Sequence, residues 1–169
     1  MILLNRLCEI VKRLIIIGPP GSKRKEISLS LVEYMSEEKQ IESISVGELL
    51  HREIIKKSEY GKQILESMKT YSYVKDEVVI NVVKNRIEEL EKEQASWIME
   101  GFPRTRLQAL ALQEMRILPD KFILLNVSTS KSIEKVKKNL KSEESIVKYK
   151  PEEIDSLAQS AVDEYKLSI

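Results

Sequence analysis

The sequence predicts an α/β fold of three layers, with a short parallel sheet held between helices. Two observations carry that expectation. Short apolar, β-branched runs recur along the chain, each about the length of a buried strand. Between them, apolar residues return at i, i+3, i+4 and i+7, the period of a helix face. In such a sheet, functional residues belong in the loops just beyond the strand ends.

The elements follow in order. Ile2, Leu3, Leu7, Ile10 and Val11 share one helical face, so residues 2–11 are expected to form a short amphipathic helix. It either packs on its own domain or docks a partner. Leu14–Ile17 is wholly apolar and is stopped by Gly-Pro-Pro-Gly, which reads as a buried strand running into a loop. Ser28, Leu31, Val32 and Met35 then mark a helix. Residues 43–46 (SISV) read as a second strand, followed by helical stretches to about Met68. From Asp76 to Glu91, the spacing of Val78, Val79, Val82, Val83, Ile87 and Leu90 gives a long helix. Asp76 and Glu77 stand at its positive end, where carboxylates are favoured. Its far end, residues 88–94, reads as solvated. SWIM (96–99) is a third strand, then comes a helix over 105–115, a strand over 122–127 and a helix from about Lys131.

With 169 residues and no linker, repeat or low-complexity stretch, one domain is expected. Lys and Arg total 28 against 27 Asp and Glu, a net charge of +1, so a nucleic-acid-coating role is not expected. One cysteine, Cys8, excludes an internal disulfide, and one histidine, His51, argues against a His-ligated metal or a His-based triad. The chemistry falls to carboxylates, lysines, arginines and backbone amides. No apolar run reaches the ~18–20 residues of a membrane span. Arg6, Glu9, Lys12 and Arg13 interrupt the apolar start too often for a signal peptide, so a cytoplasmic place is expected. Trp97, Tyr71 and Tyr73 read as core or rim packing, and Cys8 as a passive apolar residue.

A glycine-rich loop between a buried strand and a helix can wrap phosphate in backbone N–H groups. Gly18–Glu26 (GPPGSKRKE) stands in that position. Against G-x-x-x-x-G-K-[ST] only Gly18 matches, because Lys23, Arg24 and Lys25 fill the last three fixed positions.

Four further stretches sharpen this: SVGELLH (45–51), SEYGKQILESM (58–68), VKDEVV (74–79) and IMEGFPRT (98–105). In order and spacing, from about Arg13 to Lys138, the chain resembles the adenylate kinase family of nucleoside monophosphate kinases. All 5 glycines, at 18, 21, 47, 61 and 101, fall on family glycine positions. The resemblance implies an adenylate-kinase-type P-loop fold lacking the last strand and helix. It divides the chain into an extension (1–12), a core (13–140) with AMP-binding helices over 45–75, a reduced lid (141–150) and a C-terminal helix (151–169).

On the monophosphate side, the resemblance makes Arg104 the arginine that grips the AMP phosphate. Gln108 becomes the reader of adenine, and Gly101 admits the nucleotide close to the backbone. Val46 stands where the family has threonine, and His51 where it has a second phosphate-binding arginine. Imidazole is only partly charged near neutrality and makes no bidentate fork.

The ATP side departs further. Gly18, Pro20, Gly21 and Ser22 match the family's G-x-P-G-S-G-K-G-T loop, whereas Lys23, Arg24, Lys25 and Glu26 do not. Lys23 replaces a glycine whose bare backbone approaches phosphate. Arg24 falls on the catalytic lysine, and Glu26 on the hydroxyl that helps hold phosphate and metal. Glu100 replaces the aspartate that orients magnesium-bound water. No arginine follows Arg116, so the lid arginines are missing, with Lys135 and Asn139 near two of their places.

Losing one arginine from a phosphoryl-transfer transition state costs ~10³–10⁵ in rate. The leading expectation is therefore a degenerate family member, weak or inactive, with a nucleotide-binding or scaffolding role. It takes AMP or ATP and a protein partner through the N-terminal helix or C-terminal tail, with neither nucleic acid nor membrane. It is also similar to the adenylate-kinase-like proteins of cilia and flagella, which places an axonemal role among the expectations. The alternative is an active kinase, Mg·ATP + AMP to two ADP, with Mg²⁺ as cofactor, Arg24 and Arg104 catalytic and Glu100 on the metal through water.

Overall fold

The central strand is Arg13–Ile17 (β1), and its neighbours follow from the apolar runs. In the computed structural model, which describes residues 12–36, 40–69, 73–142 and 150–168, β1 lies between Ser96–Glu100 (β3) and Lys121–Leu124 (β4). Ile41–Ser45 (β2) pairs on the far side of β3, giving a parallel sheet in the order β2-β3-β1-β4. The helices are Arg24–Met35 (α1), Val46–Ile55 (α2), Glu59–Lys69 (α3), Asp76–Lys92 (α4), Arg106–Glu114 (α5), Thr129–Leu140 (α6) and Ile154–Ser168 (α7).

Successive residues of a strand face opposite sides. Ile15, Trp97 and Met99 therefore meet Val83, Ile87 and Leu90 of α4 on one face. Leu14, Ile16 and Ile98 meet Met35 of α1 on the other. These two cores make the three-layer α/β/α arrangement that the sequence predicts.

Several boundaries differ from expectation for local reasons. Val46 opens α2 instead of ending a strand, since Ser45 takes the N-cap place and Glu48 follows in the first turn. The fourth strand stops at Leu124, short of Val127, because its partner β1 ends opposite at Ile17. Helix α6 starts at Thr129, two residues before Lys131, after an extended Ser128. The last turn of α4 is not wholly solvated: Leu90 is fully buried, and Glu91 pairs with Arg13 and accepts from Trp97 Nε1 at 3.4 Å.

Among the described residues β4 pairs only with β1, and Phe122 and Leu124 are 56% and 70% exposed, as expected of an open edge. Helix α7 buries Ile154, Ala158 and Val162, so part of its apolar face is already covered within the chain. The helix expected over 2–11, with Cys8, lies outside the described residues. So do Tyr71 and most of the expected lid over 141–150.

Candidate functional site

Strands β1 and β3 run side by side with Ile16 opposite Glu100, so the loops leaving their ends emerge next to each other. The first loop is tight. A Cβ on Gly18 would stand 2.7 Å from Ser22 Oγ and 2.9 Å from Leu125 Cβ. Gly21 has φ +78, and a Cβ there would stand 2.7 Å from Lys135 Cβ, which presses α6 against the loop. Lys23 precedes α1 in the left-handed region, φ 59 and ψ 33. A side chain there costs about 1–2 kcal/mol relative to ordinary backbone. That is the conformational cost expected of a lysine on a glycine position.

Arg24 turns back over this loop. Its Nη1 donates to the carbonyls of Gly18 and of Pro19, the latter at 2.7 Å, and its Nε donates to Glu100 Oε2 at 3.3 Å. The other Glu100 oxygen, Oε1, accepts from the Ser45 hydroxyl. Glu100 is 6% exposed, so a carboxylate in a dry place has both oxygens committed. No local motif marks Ser45 as a site residue. Its position opposite Glu100 in the β2–β3 register is what brings it there.

The second loop carries Gly101 at φ +88 and Arg104, whose Nε donates to the Gly101 carbonyl at 3.0 Å. A Cβ on Gly101 would stand 3.5 Å from Arg104 Nη2 and 3.6 Å from Val46 Cβ. Desolvation in the cleft and the charge of Arg24 pull the Arg104 guanidinium below its ordinary range, opposed by Glu100 and Tyr73. Protein surrounds it closely, yet the residue keeps open solvent access, and an arginine so placed stays charged.

An open cleft of about 250 Å³ joins the two loops. Gly21, Ser22, Lys23, Arg24, Lys25 and Glu26 line one wall, and Gly47, Glu100, Arg104, Lys135 and Asn139 the rest. Gly18 and Pro20 line a smaller hollow behind it, with Arg24, Arg104, Tyr73 and Tyr165. Tyr165, on α7, is a site neighbour that no loop motif could have revealed. Lys25 reaches across to Glu48 of α2, Nζ to Oε1 at 2.5 Å, and that pairing raises its pKa.

Three expected AMP-side residues sit differently. Val46 is buried behind Gly101. His51 is exposed on α2 and is not part of the cleft wall. Gln108 is 4% exposed, with its amide held inside the protein: Oε1 accepts from Arg104 N–H and Nε2 donates to Asp76, both at 2.7 Å.

The donor set fits an anion better than a metal. Ser22 Oγ is buried without a partner among the described residues, as suits a hydroxyl awaiting a ligand oxygen. Glu100 accepts one hydrogen bond on each oxygen and keeps a lone pair on each, enough to receive a metal-bound water, while Glu26 is a carboxylate beside the phosphate loop. Among the described residues no group of three or more His, Cys, Asp or Glu side chains is placed to hold a metal ion.

Residues 16–168 match the sequence model of one family, described as adenylate kinase. The chain belongs to the adenylate kinase family. Among curated adenylate kinases, the chloroplastic protein of Zea mays is 36% identical over 130 residues, covering 77% of this chain and 56% of its own length. The protein of Mycoplasma mobile is 34% identical over 128 residues, with shares of 75% and 56%. That of Prochlorococcus marinus is 27% identical over 161 residues, with shares of 92% and 85%. The chain thus spans little more than half the length of the first two. Among the described residues, no helix of this adenylate kinase family member is long and apolar enough to cross a membrane.

Proposed function

We propose that this adenylate kinase family member holds a nucleoside monophosphate, AMP, in the cleft beside Arg104 and transfers phosphoryl groups weakly or not at all. Its role is then that of a nucleotide-binding or structural protein. The carrying observation is the set Ser45–Glu100–Arg24, in which the Glu100 carboxylate receives the Ser45 hydroxyl and the Arg24 guanidinium and the arginine turns toward loop carbonyls. Phosphoryl transfer rests on positioning and on charge aimed at the equatorial oxygens. Here the charge is engaged with the protein itself.

The Arg104 guanidinium donates through Nε to the Gly101 carbonyl of its own loop and stays open to the cleft. That supports it as the residue that meets the AMP phosphate, with Gly101 giving room. The relatives' names speak of chloroplasts and of adenylate kinase and lend nothing to a ciliary or axonemal place, which the proposal leaves aside.

The second reading is an active kinase, Mg·ATP + AMP to two ADP. What favours it is the convergence of Lys23, Arg24, Lys25, Arg104 and Lys135 on one cleft, a field suited to polyphosphate. Titration calorimetry with AMP tests the binding claim. Saturable binding to the wild type, weakened about tenfold or more in Arg104→Ala in line with loss of a charged hydrogen bond, is the expected result. Equal binding to both proteins would overturn it.

A further inference from the structure

The cleft between the phosphate loop and α6 is lined by charged, polar and glycine residues. Among the described residues no apolar or aromatic side chain stands on its wall to bury or stack a nucleobase, as pockets for such groups do. It offers positive charge instead: Lys23, Arg24 and Lys25 from one loop, Arg104 from the other and Lys135 from α6. The buried Ser22 hydroxyl, without a partner among the described residues, adds a donor suited to an oxyanion.

The charge continues past the cleft. Lys131, Lys135 and Lys138 stand at i, i+4 and i+7 of α6, which puts them on one face. Lys135 fixes where that face points, because its Cβ lies beside Gly21 of the loop. The row carries positive charge along the helix for roughly 10 Å. Glu134 is the only acid of α6 and lies about 100° round the helix from Lys135. Lys137, on the side of α7, is paired with Asp155 at 3.0 Å. Among the described residues Lys23, Lys131, Lys135 and Lys138 have no acid partner, in contrast to Arg24 with Glu100 and Lys25 with Glu48. The whole chain carries only +1, so this is a local concentration of charge.

Such a surface suits a ligand that is charged along its whole length. We propose that the cleft and the α6 lysine row bind a linear inorganic phosphate chain, longer than the triphosphate of a nucleotide. Lysine meets phosphate as a compact point charge on a flexible stem, so a row of lysines needs no fixed register with the chain. An extended acidic peptide sends successive side chains to opposite sides, and only half of them would face one row. A phosphate chain presents oxygens all round. Two acids oppose it: Glu100, already engaged by Ser45 and Arg24, and Glu26 on the cleft wall. The proposal goes beyond the AMP reading and does not rest on it.

The test is titration calorimetry of the full chain with tripolyphosphate and with a long-chain inorganic polyphosphate, both per mole of chain. The variant is K131E/K138E, two exposed positions outside the cleft, checked for folding by circular dichroism. Wild type is expected to bind the long chain on the order of tenfold more tightly than tripolyphosphate, with affinity falling steeply in salt. K131E/K138E is expected to lose that advantage and to lower the log–log salt slope by about 1–2. Tripolyphosphate, met inside the cleft, is expected to change by less than about threefold. A folded variant that keeps the full advantage overturns the proposal, as does a wild type that binds neither probe. Polyglutamate or polyuridylate of matched charge, bound as tightly as polyphosphate, also overturns it. Should the charge reversals not fold, K131Q/K138Q decides by the same comparison. AMP binding, read through Arg104→Ala, is a separate titration, so either reading can fail while the other stands.

Discussion

Arg24 and Glu100 meet at the mouth of the phosphate loop, Nε to Oε2 at 3.3 Å, with side chains only 15% and 8% exposed. Two charges in so dry a place depend on each other. Removing one partner of a buried pair costs about 3 kcal/mol or more, because the other is left uncompensated. Arg24→Ala is therefore expected to lower the unfolding free energy by about that amount. Arg104, open to the cleft, is expected to cost under about 1 kcal/mol on truncation. Urea unfolding of the two variants checks the contrast; equal losses would mean the Arg24–Glu100 contact is not formed.

Ser45 provides the second hold on Glu100. Ser45→Ala leaves a buried carboxylate oxygen without its donor, expected to cost about 1–3 kcal/mol. A denaturation midpoint unchanged from wild type would contradict the shared hold.

Lys23 sits at φ 59, where glycine is at ease. Lys23→Gly is expected to stabilise the fold by about 1 kcal/mol and raise Tm by about 2–4 °C. Differential scanning calorimetry reads this directly, and a lowered Tm would show the lysine side chain contributing more than its backbone costs.

Gly61 lets α3 cross α2 closely. A Cβ there would stand 2.0 Å from the Glu53 carbonyl oxygen, and backbone yields little. Gly61→Ala is expected to cost about 2 kcal/mol or more through forced separation of the two helices. Thermal melting within about 1 °C of wild type would count against that packing.

Glu53 gives a pH dependence with a definite sign. The Ser58 hydroxyl donates to its carboxylate at 2.5 Å and holds the pKa below the usual carboxylate value, helped by Lys56 against desolvation. The unfolded chain then binds the proton more readily, so this stability is present above about pH 4.3. It is lost as pH falls through the folded value. Ser58→Ala is expected to flatten the fall below about pH 4.3 and to weaken the α3 cap, since Gly61 N–H donates to the same hydroxyl at 3.0 Å. Parallel acid-unfolding curves for the two proteins would contradict the coupling.

The sheet was legible because Leu14–Ile17 and residues 96–99 are apolar without interruption and the loop at Gly18 stops the first of them. Less legible was the far end of α4, where Leu90 and Glu91 sit among charges in sequence yet face the core and Arg13 in space. The site divides the same way. Gly18, Arg24, Glu100 and Arg104 stand in the two loops that strand-end logic indicates. Ser45, Asp76 and Tyr165 come from three other elements, and only strand register and helix packing bring them in. No local pattern marks a serine that bonds to a carboxylate paired across a sheet, or an aspartate that accepts from a glutamine more than a helix length away.

The most direct test of the account is ADP formation from AMP and Mg·ATP by the purified chain, with Arg104→Ala as the blank. The account predicts no signal above that blank, because Arg24 and Glu100 are engaged with each other and with the loop. Turnover on the order of 1 s⁻¹ or more, abolished in the variant, would contradict it and establish a working kinase.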